Sequence, residues 1–271
     1  MSAAVRTVAA PAVAARRGEA LAGAVAAEWT RLVSIRTTWW TLLAGVLLMA
    51  ATSAQLAIYA QNSNTSADPT DDRGIVTAGS VAIDALDLTQ YAVLALGLLA
   101  ITTEFTSGTI RSTLTATPSR GTVLAAKAVV TGAVTFAYGL LLGLIGVAVA
   151  VPVLGPWGRT PVAATVGDVL AVAAYLALVG VLALGLGAVL RSAVLTLIVL
   201  LAVLMIVPLS LQEPDITVLT RIADGFPGVA GRHFMTGDGD PYPAVVGLLV
   251  LAGWAAAALA AGRWALRRRD A

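Results

Sequence analysis

Side chains able to do chemistry are sparse in this chain, and the densest group of them falls in residues 104–120, EFTSGTIRSTLTATPSR. Glu104, Arg111 and Arg120 supply charge, Gly108 and Pro118 supply turn chemistry, and Ile110 and Leu114 stand four residues apart. Written as a helix, Glu104, Gly108, Arg111 and Thr115 share one face and the Ile110/Leu114 pair another. Ser107-Gly108-Thr109 can break such a helix. Thr117-Pro118 reads as an N-cap followed by proline at the first helical position. The chemistry of this pattern is recognition: charge pairing, and an amphipathic turn laid into a groove of another protein. An ordinary polar loop fits the same spacing.

Catalytic patterns are missing elsewhere. There is no cysteine, so disulfides and thiolate metal sites are excluded. Lys127 is the one lysine, and no G-x-x-x-x-G-K-[ST] occurs, so this chain has no P-loop of its own. H-E-x-x-H and G-x-S-x-G are absent too. His233 is the single histidine, and one imidazole makes no metal site. Residues 236–241, TGDGDP, lack the later glutamate of a calcium loop and read as a turn. Asp168, Glu213, Asp215, Asp224, His233, Asp238 and Asp240 have no recognisable catalytic spacing, which leaves a lipid-modifying enzyme as the weakest of the readings considered.

The elements that hold these residues are apolar helices. Of the 271 residues 58% are hydrophobic and only 12% charged, against roughly one quarter charged in a soluble domain. A spanning helix needs roughly 20 apolar residues. Six runs qualify: 39–60, 84–103, 123–151, 166–190, 192–211 and 244–262. Residues 166–211 as one helix would measure about 69 Å, twice a bilayer, so the chain must reverse at Arg191-Ser192, with Gly185 and Gly187 expected to relax the helix just before. The fold class is therefore all-α, a single polytopic membrane domain over 39–271. Residues 1–18 read as a disordered tail with no cleavable signal peptide. In 19–38, Leu21, Val25, Trp29 and Leu32 recur at helical spacing, with Glu28, Arg31 and Arg36 elsewhere on the wheel. That is an amphipathic helix on the membrane surface, or a plain extension of the first span.

Thirteen lysines and arginines fall on the side that holds both termini, residues 104–120 and Arg191; four fall on the other. The excess places both termini and the 104–120 segment in the cytoplasm, with Trp39, Trp40 and Trp264 at the matching interface. The same membrane topology accounts for the basic charge without a nucleic-acid partner. The span cores hold no ionisable residue, which argues against a proton pump or an intramembrane hydrolase. Gly139 and Gly143 form a GxxxG pair in the third run, read here as ordinary helix packing within the chain. Ile216, Leu219, Ile222 and Phe226 are spaced for an amphipathic or re-entrant helix in the long connection 212–243.

Taken together, Glu104, Gly108-Thr109, Arg111, Leu114, Pro118, Arg120 and Lys127 resemble the first cytoplasmic loop of type-two ATP-binding-cassette (ABC) exporter permeases. EWTRLVSIRTTWW (28–40) is similar to that family's amphipathic entry to the first span. The closing run PYPAVVGLLVLAGWAAAALAAGRWALRRRDA is similar to its last span and basic tail. The resemblance covers most of 28–271. It implies a permease of the bacterial cytoplasmic membrane whose 104–120 loop carries a coupling helix gripped by a separate cytoplasmic ATPase. That partner would bind ATP and magnesium, and this chain would hold no cofactor or metal. A second permease subunit, identical or related, would complete the path. Glu104, Gly108, Thr109, Arg111, Leu114, Pro118 and Arg120 become the docking positions: Arg111 or Glu104 pairing with ATPase charges, Gly108 allowing close approach, and Pro118 fixing the turn. Lys127 would snorkel toward phospholipid headgroups. The competing reading is a structural or sensory membrane protein whose 104–120 loop docks a different partner.

Overall fold

The computed structural model describes residues 11–66, 73–109, 120–214, 216–237 and 239–268. The chain is an all-α multi-pass membrane protein, with six helices among the described residues long and apolar enough to cross a bilayer. Helix α1 spans Pro11–Ser34 and α2 Arg36–Thr65. A short α3, Ala78–Asp84, leads into α4, Leu86–Thr106. Then come α5, Arg120–Leu154, and α6, Val162–Leu190. The next span, α7, covers Ala193–Gln212. Two short helices, α8 at Thr217–Ala223 and α9 at Pro227–Thr236, precede α10, Ala244–Arg268. The two-residue strands β1 (Val76–Thr77) and β2 (Gly158–Arg159) pair in parallel and tie the connections after α2 and α5 together.

Helix α6 is the hub. In its most apolar stretch 61% of residues are buried inside the molecule, against 22% in both α7 and α10. It packs on α5, α10 and α4. Lipid is as apolar as leucine, so close backbone approach, not escape from water, holds such helices together. Small residues mark these seams. A Cβ on Gly139 would lie 2.6 Å from Ala173 Cα, and Gly143 faces Val169 in the same way, so the GxxxG pair is an internal α5–α6 seam, as expected. Gly97 of α4 backs onto the Gly180 carbonyl, and Gly185 onto the Ala258 backbone of α10.

The reversal at Arg191 stands where span length demanded it, but by another device. Helix α6 runs unbroken through Gly185 and Gly187, which serve packing and not relaxation: Gly187 meets Ile101. Arg191 itself takes the left-handed conformation at φ 55, its amide bonded to the Gly187 carbonyl at 2.9 Å. Ser192 then caps α7, its hydroxyl accepting from the Leu195 amide. The Arg191 guanidinium sits 4.9 Å over the Phe105 ring, a cation–π contact that helps offset the left-handed backbone.

Other boundaries shift for physical reasons. The tail expected to be disordered through residue 18 is helical from Pro11 onward, in an alanine-rich stretch opened by proline at its first position. The expected span 84–103 starts after a break at Ala85, and α3 before it is capped by Thr77, whose hydroxyl accepts from the Ser80 amide. Helix α7 loosens into a π-helical turn at Ala202–Ile206. Pro208 cannot donate the helical bond to the Leu204 carbonyl, and the wider turn accommodates it. Gly228 of α9 packs directly against that carbonyl. In the connection between α7 and α10 Ile216 precedes α8 and Ile222 remains exposed, while α9 is the part that packs into the bundle, burying Pro227, Ala230, Gly231 and Met235.

Candidate functional site

At the end of the bundle that carries Arg191, four charges converge from three helices. Lys127, in the second turn of α5, is 1% exposed, and Glu104, in the last turn of α4, is 0% exposed. The ammonium has three protons, and all three are used: Glu104 Oε1 at 2.5 Å, Glu28 Oε2 at 2.7 Å and the Ala100 carbonyl at 3.2 Å. Arg31 of α1 donates to the same Glu104 oxygen, and its other terminal nitrogen reaches Thr109 Oγ1 at 3.2 Å. Two acids balance two bases. Among the described residues Glu104 Oε2 has no hydrogen-bond partner, and neither has the Thr131 hydroxyl nearby. A cavity of about 110 Å³ lies alongside, walled by Leu32, Thr41, Leu96, Lys127 and Thr131.

Glu28 and Arg31 point into the bundle, while Trp29, on the apolar face expected to meet the membrane, is 54% exposed with Trp39 and Trp40. The four charges form a clasp between α1, α4 and α5. Breaking one partner of a buried pair costs about 3–5 kcal/mol, because the remaining charge stays stranded. Lys127 therefore does not snorkel to headgroups; it is sealed beneath α1. The Glu104 carboxylate is likewise enclosed and holds α1 instead of facing a partner's charge.

The other positions from the 104–120 stretch separate into two groups. Helix α4 ends at Thr106, so the face that would have joined Glu104, Gly108, Arg111 and Thr115 is broken. Gly108 follows the C-cap with φ 71, and no atom of the described residues stands within 4 Å of the point a Cβ would occupy. It makes the left-handed exit from the helix. Thr109 is bound to Arg31 and lies 2.8 Å from the Ser107 hydroxyl. Arg120 opens α5. Arg111, Leu114 and Pro118 lie outside the described residues. Sequence reasoning missed Glu28 and Arg31 as members of this site. One signal pointed to them: an acid and the only lysine at the ends of apolar helices need partners, and α1 carries both signs three residues apart.

The opposite end has a second, wetter ion cluster. Arg232 of α9 donates to Asp84 Oδ1 at 2.7 Å and to Asp87 Oδ2 at 3.0 Å, with exposures of 46%, 43% and 72%. Partial burial works against the guanidinium charge, but the Asp87 and Asp84 carboxylates outweigh it and hold its pKa above the ordinary arginine value. Below this cluster Tyr175 donates to Gln90 Oε1 at 2.5 Å, and Gln90 donates to the Asp87 carbonyl. Among the described residues no three His, Asp or Glu side chains are grouped as a metal ion would require. No protein-family model and no curated protein sequence matches this chain.

Proposed function

We propose that this chain is the membrane-spanning permease subunit of an ABC exporter of the type-two class. A separate cytoplasmic ATPase would bind ATP and magnesium and grip the connection between α4 and α5. A second permease subunit, the same chain or a related one, would complete the pathway in a bacterial cytoplasmic membrane, with both termini inside the cell. The observation that carries this reading is the clasp. It welds the entry helix α1, the end of α4 and the start of α5 into one unit at the base of residues 107–119. A push on that connection would reach three helices at once, as coupling to an external motor requires.

Helix α1 is then the interfacial helix, lying on the inner leaflet with Trp29 toward lipid, while Glu28 and Arg31 fasten it to the bundle. Residues 110–119 are the coupling segment. Arg111 and Leu114 are the proposed points of ATPase contact, and Glu104, Arg31 and Thr109 are linked to one another at the start of the connection that carries them. The alternation of access would be a rigid displacement of packed helices, consistent with the glycine seams that let α4, α5 and α10 lie close on α6.

Co-purification tests this reading. The full chain, extracted in mild detergent from its native membrane, is expected to bring down a nucleotide-binding ATPase in a one-to-one ratio, with the Arg111→Glu variant losing it. Recovery of the chain without an ATPase, or an unchanged yield with R111E, would contradict the proposal.

A further inference from the structure

Beside the Arg232 cluster lies a cleft of about 520 Å³, bounded by α4, α6, α7 and α9. That volume is in the range of small-molecule sites, roughly 300–1,000 Å³. Its floor is apolar: Leu86, Leu204, Pro208 and Met235 are buried there. The π-helical turn of α7 forms one wall, and Met205 and Met235 supply polarizable side chains that adapt to irregular shapes. Tyr175 closes the bottom, its hydroxyl already committed to Gln90.

The rim sets the sign of what can enter. One guanidinium faces two carboxylates, Asp84 and Asp87, leaving a net negative charge, and the Asp87 side chain is 72% exposed. A third carboxylate, Asp224, stands 3.7 Å from His233 on the same side. Asp224 is buried, so the exposed acids are Asp84 and Asp87: an anion approaching Arg232 meets the two carboxylates already bound to it, whereas a cation finds Asp87 exposed. We propose that this cleft binds a lipophilic organic cation, with the charge at Asp87 and the apolar body against Leu204, Met205 and Met235. The inference goes beyond the permease reading and does not rest on it, since binding at this end requires no ATPase.

Two ions of one shape and opposite charge provide the test: tetraphenylphosphonium and tetraphenylborate, each four phenyl rings around a central atom. The purified full chain in phosphatidylcholine nanodiscs is titrated with each, and binding is measured above protein-free discs. Saturable binding of the phosphonium and none of the borate is expected. Asp87→Asn should weaken phosphonium binding about tenfold, Asp87→Glu should preserve it, and Arg232→Gln should tighten it by freeing both acids. Equal or tighter borate binding, no saturable phosphonium binding, or an affinity unmoved by D87N would overturn the proposal. The wild-type comparison of the two ions decides the matter even if a variant fails to fold. Failure here would leave ATPase co-purification untouched, and failure of co-purification would leave this binding untouched.

Discussion

Both ends of the bundle carry an ion cluster in which bases meet acids, yet the two are different devices. At the Arg191 end Lys127 and Glu104 are sealed from water, every ammonium proton is spent, and α1 is the lid. At the other end Arg232, Asp84 and Asp87 are all partly exposed at the mouth of a cleft. Geometry is similar; hydration is not. Taking charges out of water makes each partner indispensable to the others. Leaving them wet makes each pair worth little to stability and free to respond to a ligand. The first cluster is suited to holding helices together, the second to meeting something from outside.

That contrast can be broken by substitution. The largest effect is expected from Lys127→Met, which keeps the length of the side chain, strands Glu28 and leaves the buried Glu104 with Arg31 alone. Stability in detergent should fall by about 3–5 kcal/mol, and the double variant K127M/E104Q, which leaves Glu28 beside Arg31, should recover about half. A double variant no better than the single would show that the charges do not act as a unit. A packing seam midway between the ends offers a charge-free reference. Gly139→Leu drives a side chain into Ala173 and should cost about 1–3 kcal/mol, insensitive to changes at Lys127. A strong coupling between the two would mean the clasp and the seam are not separate. Gly108→Ala, at φ 71, should cost about 1 kcal/mol by straining the exit of α4. The smallest loss belongs to the wet end. Arg232→Gln should lower the unfolding free energy by less than about 1 kcal/mol, and a loss matching that of K127M would erase the distinction drawn between the ends.

Much of the architecture is written in the sequence because it follows from length. Apolar runs long enough for a bilayer locate six helices, and a 46-residue run from 166 to 211 forces a reversal near Arg191. What the sequence does not disclose is rotation about each helix axis. Leu21, Val25, Trp29 and Leu32 fit an apolar face, and Trp29 stays exposed as a membrane-facing ring would, but Glu28 and Arg31 turn inward to meet the demand of a buried lysine and glutamate on neighbouring helices. Periodicity within one helix cannot reveal that demand, because it originates in α4 and α5. The π-helical turn in α7 is partly legible from Pro208 alone, yet its consequence, a cleft backed by Gly228 and roofed by α9, depends on a helix about 20 residues further along the chain. Gly108 illustrates the same limit. Its place in Ser107-Gly108-Thr109 announced a helix break, but the residue at which α4 stops and the left-handed φ of 71 are set by the backbone around it.

The central claim is that the Arg191 end faces the cytoplasm and that the connection between α4 and α5 is offered there to an ATPase. The absence of native cysteine makes one measurement direct. A single Arg111→Cys chain is treated with a membrane-impermeant maleimide, first in intact cells and then in inside-out vesicles. The account predicts labelling only in the vesicles, and loss of that labelling when the ATPase is bound. Labelling of position 111 in intact cells would contradict it.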